Sequence, residues 1–252
     1  MSNNKKILQI LHRSKNFICV NKPFDVVVND NDLERESVMN LLKDQCPGTS
    51  NPKLFHGYYV CHRLDYSTSG IFVVPLTKTA SKHACKAFEN SKVLKHYLAI
   101  VRGHCQENFY KINLSIGEDC RPEFNKLRVA TQGSEHCQNA RQAETLVAVL
   151  SRGFYKEQPV TKVLLRPHTG RRHQLRVHCD SIGHTILGDY TYSNKQDTEP
   201  YRMYLHAFKI NLPTALETLD ITTEDPFENI EEYKATEIVN DYSNLNDIFM
   251  GS

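Results

Sequence analysis

The nine residues 62–70, His-Arg-Leu-Asp-Tyr-Ser-Thr-Ser-Gly, and the apolar run 71–76 after them most constrain how this chain can fold. The apolar run is rich in β-branched and aromatic residues, which predicts a buried strand. The Ser-Thr-Ser-Gly cluster before it is typical of a tight turn. Asp65 is therefore expected on a loop that leads into a rigid strand, where proteins often hold reactive groups. The residue types alone leave a second interpretation open, in which Asp65 is a turn aspartate that pairs with Arg63.

A second segment, residues 166–178, combines a turn with a cluster of arginines. Its Thr-Gly pair closes the turn, and Leu175, Cys179 and Ile182 then recur at helical spacing before Gly183. This pattern predicts a loop that runs into a helix. Because a helix N-terminus favours anions and the arginines strengthen that preference, the segment predicts a phosphate or carboxylate partner.

The distribution of charge is more informative than its sum. The net charge is +2, which does not by itself indicate nucleic acid. Residues 160–179 hold five lysines and arginines and no acid, whereas acids dominate from residue 217 onward. A basic stripe with an acidic tail is compatible with RNA binding by one face, although an ordinary solvated charged surface has the same composition.

Three histidines, His168, His173 and His178, recur at five-residue intervals and raise the question of a metal site. Zinc ligands on a helix are typically four residues apart, and a spacing of five turns the imidazoles away from one another. The neighbouring arginines would also repel a cation. No metal site is predicted, and a metal-dependent hydrolase is kept as a rival hypothesis.

Cysteine usage and hydropathy bear on the compartment. The eight cysteines form no C-x-x-C pair, which argues against a zinc ribbon, and their scatter favours a reducing compartment.

No apolar run approaches the ~20 residues that a membrane-spanning helix needs. The basic start, residues 1–15, is typical of a transit peptide, but its removal would cut into the strand-like residues 17–20. We expect an intracellular monomer without a membrane partner, in the cytoplasm, with the nucleus and the mitochondrion as alternatives.

The rest of the pattern predicts an α+β fold with a mostly antiparallel sheet, because strand-like runs outnumber helical ones and the two are mixed along the chain. Between residues 104 and 141 the pattern is weak and indicates hairpin turns or an insertion. Thr79 is predicted to cap a helix, and the acids and asparagines after Pro226 predict a helix and a frayed tail. The other predicted elements are strands at 17–20, 93–103, 144–150 and 160–165 and a helix at 37–43.

The nine-residue segment with Asp65 resembles the HRLD-x-x-TSG catalytic motif of the RluA-type pseudouridine synthases, with seven identities in nine positions. Further family landmarks follow in the family's order, namely K-x-Y-x-A at 95–99, TGR-x-HQ[LI]RVH at 169–178, GH-x-I-x-GD-x-x-Y at 183–192 and LHA at 205–207. For the segment 183–192, the resemblance implies that Asp189 and Tyr192 are scaffold groups. Two positions depart from the family, since Asp25 stands where its Lys-Pro-x-Gly turn has glycine and Arg172 stands where threonine is common. The resemblance covers roughly residues 6–226.

The resemblance implies roles for three side chains in the catalytic step. Asp65 would be the essential catalytic residue, Arg176 would contact its carboxylate, and Tyr97 would stack against the target uracil. The residue pattern alone gives another interpretation of Tyr97, a core tyrosine, because strand alternation puts it on one face with Ala99 and Val101.

Other matching residues are assigned to the substrate. Leu175 would line the base pocket, and Arg63 would fill the position that a flipped base vacates. His62 would support the loop, although it could equally be a satisfied core histidine. The remaining candidates for RNA contact are Arg171, Arg172, His173 and Lys22. For Lys22 the alternative to a phosphate contact is an ordinary surface lysine.

The resemblance also implies the fold. It is the pseudouridine synthase fold, a long, bent, mostly antiparallel mixed sheet in two halves flanked by helices, with the active cleft between the halves. Residues 1–226 would form the catalytic domain, without the S4 RNA-binding module that is frequent in the family. Residues 227–252 would form an acidic C-terminal helix or tail.

The implied activity is the isomerisation of uridine to pseudouridine in RNA, with base flipping and without a cofactor or a metal. The class of RNA stays open, because ribosomal, transfer, messenger and small nuclear RNAs fit equally well. The main rival hypothesis is a catalytically inactive RNA-binding protein on the same fold.

Overall fold

The computed structural model describes residues 6–32, 35–124, 127–241 and 248–249. The chain divides into two compact units, one within residues 1–94 and 207–224 and the other within residues 95–206 and 225–252. In the described residues, the strands are β1 (Gln9–Arg13), β2 (Phe17–Lys22), β3 (Ser69–Pro75), β4 (Leu94–Arg102), β5 (Phe109–Ile112), β6 (Ile116–Asp119), β7 (Val129–Thr131), β8 (Cys137–Arg141), β9 (Thr145–Tyr155), β10 (Gln158–Pro167), β11 (Leu205–Pro213), β12 (Thr218–Thr222) and β13 (Tyr233–Ile238). The α-helices are α1 (Val38–Gln45), α2 (Lys78–Glu89) and α3 (Gln174–Ser181).

The first unit is built on a sheet in the order β1-β2-β3-β11-β12. The pairs β1–β2, β2–β3 and β11–β12 are antiparallel. Strand β3 is buried along its whole length, as its apolar sequence predicts. The core lies between this sheet and α2, whose Ala80, Ala84 and Ala87 pack against the strands. The small alanines let the helix approach the sheet closely, so β3 and the loop before it rest on a packed support.

Helix α2 begins two residues earlier than predicted. Its N-cap is Thr77, which has an extended backbone and whose hydroxyl accepts a hydrogen bond from the Ala80 N–H at 3.0 Å. Thr79 lies inside the first turn, so the predicted cap is wrong. Both threonines offer a suitable hydroxyl, and the point where the chain leaves β3 decides which of them caps the helix.

The turn after β2 has Asp25 at the position where the family's Lys-Pro-x-Gly turn has glycine. Asp25 has a φ of 54°, in the left-handed region that glycine adopts without strain and that aspartate tolerates better than most residues. Asp25 therefore adopts here a conformation that glycine also adopts.

The second unit is built on strands in the order β4-β10-β9-β13, and β5 also pairs with β9. The pairs of β10 with β4 and β9, and of β9 with β5 and β13, are antiparallel. The core contains Ala99, Val101, Val147, Val149, Val163, Leu165, Leu175 and Cys179. Because the last two belong to α3, the helix with the arginine motif is fixed on the central strands.

The weakly patterned residues 104–141 form β5 and a separate three-stranded antiparallel sheet in the order β7-β6-β8. Ile116 and Val129 of this small sheet pack with Val177 of α3 and with Tyr192. The small sheet thus covers α3, the helix that carries Arg176.

The helix predicted after Pro226 does not form in residues 227–241, and for most of the remaining residues of the predicted tail the prediction lies outside the described residues. Tyr233–Ile238 is a strand instead and pairs with the edge of β9. The Tyr233 hydroxyl also lies 2.6 Å from the Ser151 Oγ. Unpaired N–H and C=O groups of β9 gain partners in this way, and that long-range gain outweighs the local helical pattern. The predicted boundary at residue 226 between a catalytic domain and a tail stays a prediction, and part of that tail lies outside the described residues.

Within the described part of the chain, the helices are too short or too polar for one of them to cross a lipid bilayer.

Candidate active site

Lys22, at the end of β2, holds the loop that carries Asp65. Its side chain is 0% exposed, and its ammonium donates hydrogen bonds to the carbonyl oxygens of Pro23, Val26 and Tyr66 at 2.9, 2.6 and 2.9 Å. A buried ammonium needs such partners, because an uncompensated charge away from water is very costly. Lys22 is therefore not placed to contact phosphate, nor is it a surface lysine, and both predictions for it are wrong. It ties the turn after β2 to the residue next to Asp65.

His62 anchors the other end of the same loop. Its Nε2 accepts a hydrogen bond from the Val73 N–H at 2.9 Å, so the proton of the neutral ring is on Nδ1. The ring is stacked against Phe72 and Phe88, with centroid distances of 4.6 and 4.9 Å. These contacts fit both a loop-supporting residue and a satisfied core histidine, and the role of His62 stays a prediction.

Gly70, the last residue of the motif, lies against the backbone of β11. A Cβ atom at this position would be 2.3 Å from the Ala207 carbonyl oxygen, and φ is 110°. Only glycine fits both the conformation and the close approach. Gly70 of the TSG landmark and Ala207 of the LHA landmark are thus in contact through their backbones.

The loop between these anchors presents its two charged side chains differently. Asp65 is half-buried, and its carbonyl accepts a hydrogen bond from the Thr68 N–H at 3.1 Å. Arg63 is exposed and makes no ion pair or hydrogen bond with the residues that the structure describes. Asp65 is therefore not paired with Arg63, and that part of the turn-aspartate interpretation is wrong. The Arg63 side chain is accessible to a ligand.

Arg176, in the first turn of α3, is fixed in place by the contacts of its side chain. Its Nε and Nη2 donate to the two carboxylate oxygens of Asp189 at 2.7 and 2.8 Å. The guanidinium carbon lies 5.2 Å from the centre of the Tyr192 ring, and the side chain is almost fully buried. Asp189 also accepts hydrogen bonds from the Thr191 and Tyr192 N–H groups, both at 3.1 Å. A bidentate pair of this kind fixes the plane of the guanidinium as well as its position.

Gln174 locks the turn that precedes α3. Its Oε1 accepts hydrogen bonds from the Thr169 hydroxyl at 2.7 Å and the Arg171 N–H at 2.9 Å. Its Nε2 donates to the Glu144 carbonyl at 2.9 Å and the Thr145 hydroxyl at 3.0 Å. The buried amide thus has four partners, which is its full capacity.

The three regularly spaced histidines have three separate sets of partners. His178 is buried between the Thr145 hydroxyl and the Leu114 carbonyl, each at 2.9 Å, and burial lowers its pKa. His168 lies 2.5 Å from the Glu144 carboxylate and His173 lies 3.3 Å from the Tyr192 hydroxyl. The described residues contain no group of three His, Cys, Asp or Glu side chains that could hold a metal ion. The hydrolase hypothesis therefore has no support from this geometry.

Tyr97 and Leu175 border the core of the second unit. Tyr97 is half-buried and packs against the cluster that contains Ala99, Val101 and Leu175. The predicted alternation of β4 is confirmed. Tyr97 is therefore a half-buried tyrosine at the edge of this core.

The arginines before α3 differ in their contacts. Arg171 is exposed and donates to the Gln142 carbonyl at 3.0 Å. Arg172 is exposed and has no hydrogen bond or ion pair to the described part of the chain. Both side chains remain accessible to an anion.

Comparison with known proteins decides the family. Residues 16–181 match the family model described as RNA pseudouridylate synthase. The zebrafish (Danio rerio) RNA pseudouridylate synthase domain-containing protein 1 is 42% identical over 221 residues, which are 87% of this chain and 75% of that protein. The chain belongs to the RNA pseudouridylate synthase family. The dual-specificity RNA pseudouridine synthase RluA of Haemophilus influenzae is 32% identical over 225 residues, 87% of this chain and 94% of that protein.

The structural comparison agrees with the family. The solved structure of human RNA pseudouridylate synthase domain containing 1 matches with a TM-score of 0.85 and 36% identity, over 98% of this chain and 96% of that chain. The predicted α+β class and pseudouridine synthase fold are confirmed. The expected cleft between the halves of the sheet stays a prediction.

The pseudouridylate synthase landmarks fall into two groups in space. Asp65, His62, Arg63 and Lys22 belong to the first unit, whereas Arg176, Tyr97, Leu175, Arg171, Arg172 and His173 belong to the second. The expected pairing of Asp65 with Arg176 stays a prediction.

Sequence reasoning missed three contributions to this family site. It left Gln174 unassigned, although the HQ pair of the landmark contains it. It treated Asp189 as a scaffold group without pairing it with Arg176. It also passed over Lys95, which is half-buried and donates to the Thr169 carbonyl at 3.2 Å. Burial lowers the pKa of Lys95 from 10.5 to about 8. All three residues occupy positions that the family motifs specify, and this could have identified them from the sequence.

Proposed function

We propose that this protein is an RNA pseudouridine synthase that isomerises uridine in RNA, with Asp65 as the catalytic carboxylate. The observation that carries the proposal is the loop at residues 62–68, which Lys22 and His62 fasten from opposite ends while Asp65 stays half-buried between them. Family membership and a relative named as an RNA pseudouridine synthase support the reaction class.

The reaction breaks the glycosidic bond between N1 of uracil and C1′ of ribose, turns the base, and joins C5 to C1′. Asp65 initiates the cleavage, as a nucleophile or as a base acting on the sugar. Burial beside a base would push a carboxyl group toward its neutral form, and an adjacent guanidinium reverses that tendency. We propose that Arg176, oriented by Asp189, is this guanidinium.

The substrate has to leave its stack before Asp65 can reach it. Unstacking costs a few kcal/mol, and stacking on an aromatic ring returns about 1–3 kcal/mol per base. We propose that Tyr97 provides that ring, that Leu175 lines the pocket beside it, and that Arg63 takes the vacated position in the RNA. The two accessible arginines, Arg171 and Arg172, contribute phosphate contacts.

The decisive experiment compares wild type with Asp65→Asn and Asp65→Ala on total cellular RNA. Tritium release from C5-labelled uridine, followed by mass spectrometry of nucleosides, measures product. We expect both variants to bind RNA much as wild type does and to form no pseudouridine. Product from purified Asp65→Ala would overturn the assignment.

The role of Tyr97 is tested with two substitutions. Tyr97→Phe keeps the ring, whereas Tyr97→Ala should lower kcat/KM by about 5- to 150-fold if it loses 1–3 kcal/mol of stacking. Equal losses in the two variants would contradict the stacking role. The inactive RNA-binding alternative predicts that wild type binds RNA and releases no tritium. A monomer, the cellular compartment and the class of RNA stay predictions.

A further inference from the structure

Residues 51–57, Asn-Pro-Lys-Leu-Phe-His-Gly, form a closed loop in the first unit, which we call the Phe55 loop. The Asn51 N–H donates to the Gly57 carbonyl at 2.7 Å, and the Gly57 N–H donates to the Leu54 carbonyl at 2.9 Å. The Lys53 N–H donates to the Asn51 side chain at 3.0 Å. The loop therefore has hydrogen bonds of its own across its neck and inside it, which fix its shape without a ligand.

The base of the Phe55 loop is fastened to the core. Tyr58 directly follows the loop and is buried, and its hydroxyl lies 2.8 Å from the Thr49 hydroxyl. Thr49 in turn donates to the Cys46 carbonyl at 2.7 Å, at the end of α1. The loop is thus a fixed projection from the first unit.

Phe55 projects from this loop with 64% of its surface exposed. Its ring meets the edge of the His56 ring at a centroid distance of 4.8 Å. A phenylalanine held so far in water contributes little to the core, since burial of its ring is what stabilises folding. An aromatic group that is exposed and held by a rigid loop is instead suited to stack on a ligand with little loss of entropy.

The charge around the loop selects the kind of ligand. Residues 45–64 contain no acid, but they contain Lys53 and Arg63. The side chain of Lys43 lies against the loop, with its Cε 2.5 Å from where a Cβ of Gly57 would be. An exposed aromatic ring on a loop that carries one lysine and touches another is suited to single-stranded nucleic acid, because the ring can stack on a base while the lysines attract phosphate.

A second exposed phenylalanine shows that the surrounding charge makes the difference. Phe154 on β9 is 38% exposed and meets the edge of the His104 ring at 5.3 Å. Its partner across the strand pair is Lys234 of β13, but residues 224–241 around that lysine contain seven acids. The acids near Phe154 disfavour phosphate, whereas the residues around Phe55 carry lysine and no acid.

We propose that the Phe55 loop binds an unpaired nucleotide of the substrate RNA that flanks the target uridine, with the Phe55 ring stacked on its base and Lys53 beside its phosphate. The identity of the polymer rests on the proposed function. The ten residues from Phe55 to Asp65 limit their separation to roughly 35 Å, which is a span of a few nucleotides. The stacking is independent of sequence, because every base has a face.

The first test measures binding of fluorescein-labelled oligouridine to the full chain by anisotropy. From the usual value of base–aromatic stacking, Phe55→Ala should weaken binding about tenfold, and Phe55→Trp should bind at least as well as wild type. Phe154→Ala is the matched control and should leave binding unchanged. Thermal unfolding followed by circular dichroism should not distinguish Phe55→Ala from wild type, because the ring is outside the core.

The salt dependence of RNA binding tests the role of Lys53. Lys53→Gln should reduce the slope of log affinity against log salt by about 0.7, as expected for one phosphate contact on a single strand. A fully paired duplex of the same length should show no effect of Phe55→Ala, since its bases are not free to stack.

The outcomes separate this inference from the proposed function. Wild-type affinity in Phe55→Ala, or an equal loss in Phe154→Ala, overturns the inference even if wild type forms pseudouridine. A wild type that forms no pseudouridine but binds oligouridine through Phe55 overturns the proposed function and supports the loop as an RNA site. A wild type that binds no RNA overturns both.

Discussion

The two charged groups proposed for catalysis are held in different ways. In the first unit, Lys22 and His62 act on the backbone around Asp65, through the Tyr66 carbonyl and the Val73 N–H. In the second unit, Asp189 and Tyr192 act on the Arg176 side chain itself, through a bidentate ion pair and an aromatic face. The first arrangement sets the shape of a loop, whereas the second sets the direction of one guanidinium. Substitutions in the two units should therefore fail for different reasons.

The largest effect is expected where a buried charge loses its partner. Asp189→Ala leaves Arg176 buried without its bidentate carboxylate, and breaking such a pair costs about 3–5 kcal/mol. Urea denaturation should show this loss in the free energy of unfolding. Asp189→Asn keeps the volume and one carbonyl acceptor and should lose less. A loss below about 1 kcal/mol in Asp189→Ala would mean that the ion pair does not hold Arg176.

A smaller effect is expected in the first unit, where the support is a hydrogen-bonded ammonium. Lys22→Met leaves the Pro23, Val26 and Tyr66 carbonyls without this donor, and we expect a loss of about 2–3 kcal/mol, since a buried unsatisfied acceptor costs 1–3 kcal/mol. The exposed Lys15→Met is the matched control and should stay within about 0.5 kcal/mol of wild type. If the two variants unfold at the same urea concentration, Lys22 is not the anchor of the Asp65 loop.

A third, pH-dependent effect distinguishes the second unit. Burial lowers the pKa of Lys95 to about 8, below the 10.5 of the unfolded chain. Between these values the unfolded state binds more protons than the folded state, so stability rises with pH from about 8 to 10.5 and is lower below that window. The free energy of unfolding of wild type should therefore rise relative to Lys95→Met across this range. Parallel curves for the two proteins would contradict a buried, destabilised ammonium.

The smallest effect on stability is expected for the exposed arginines of the two units. Arg63→Ala and Arg172→Ala should change the free energy of unfolding by less than about 0.5 kcal/mol, because neither side chain has a partner in the described structure. Their effect should fall on RNA affinity and its salt dependence, measured by anisotropy. A marked loss of stability in either variant would show a structural role that its exposure does not indicate.

The outcome for individual residues shows how far local information reaches. The buried strand after Gly70 and the helix before Gly183 follow from short runs of sequence, and both form as predicted. Lys22 shows the limit, because a lysine beside a Lys-Pro turn resembles a surface residue until the carbonyl of Tyr66, 44 positions away, is known to accept from it. The tail shows it again, since only its pairing with β9 makes Tyr233–Ile238 a strand.

What the amino-acid sequence by itself determined is the family, the order of the landmarks, and the strands and helices on which the landmark side chains lie. These depend on residue identity and on periodicity along a few turns or pleats, which can be recognised without distant contacts. Only the tertiary structure decided which groups hold those side chains: Asp189 for Arg176, the main chain of Ala207 for Gly70, and Lys22 for the Asp65 loop. These contacts join residues that are not neighbours in the sequence, and their geometry exists only once the sheets and helices have packed.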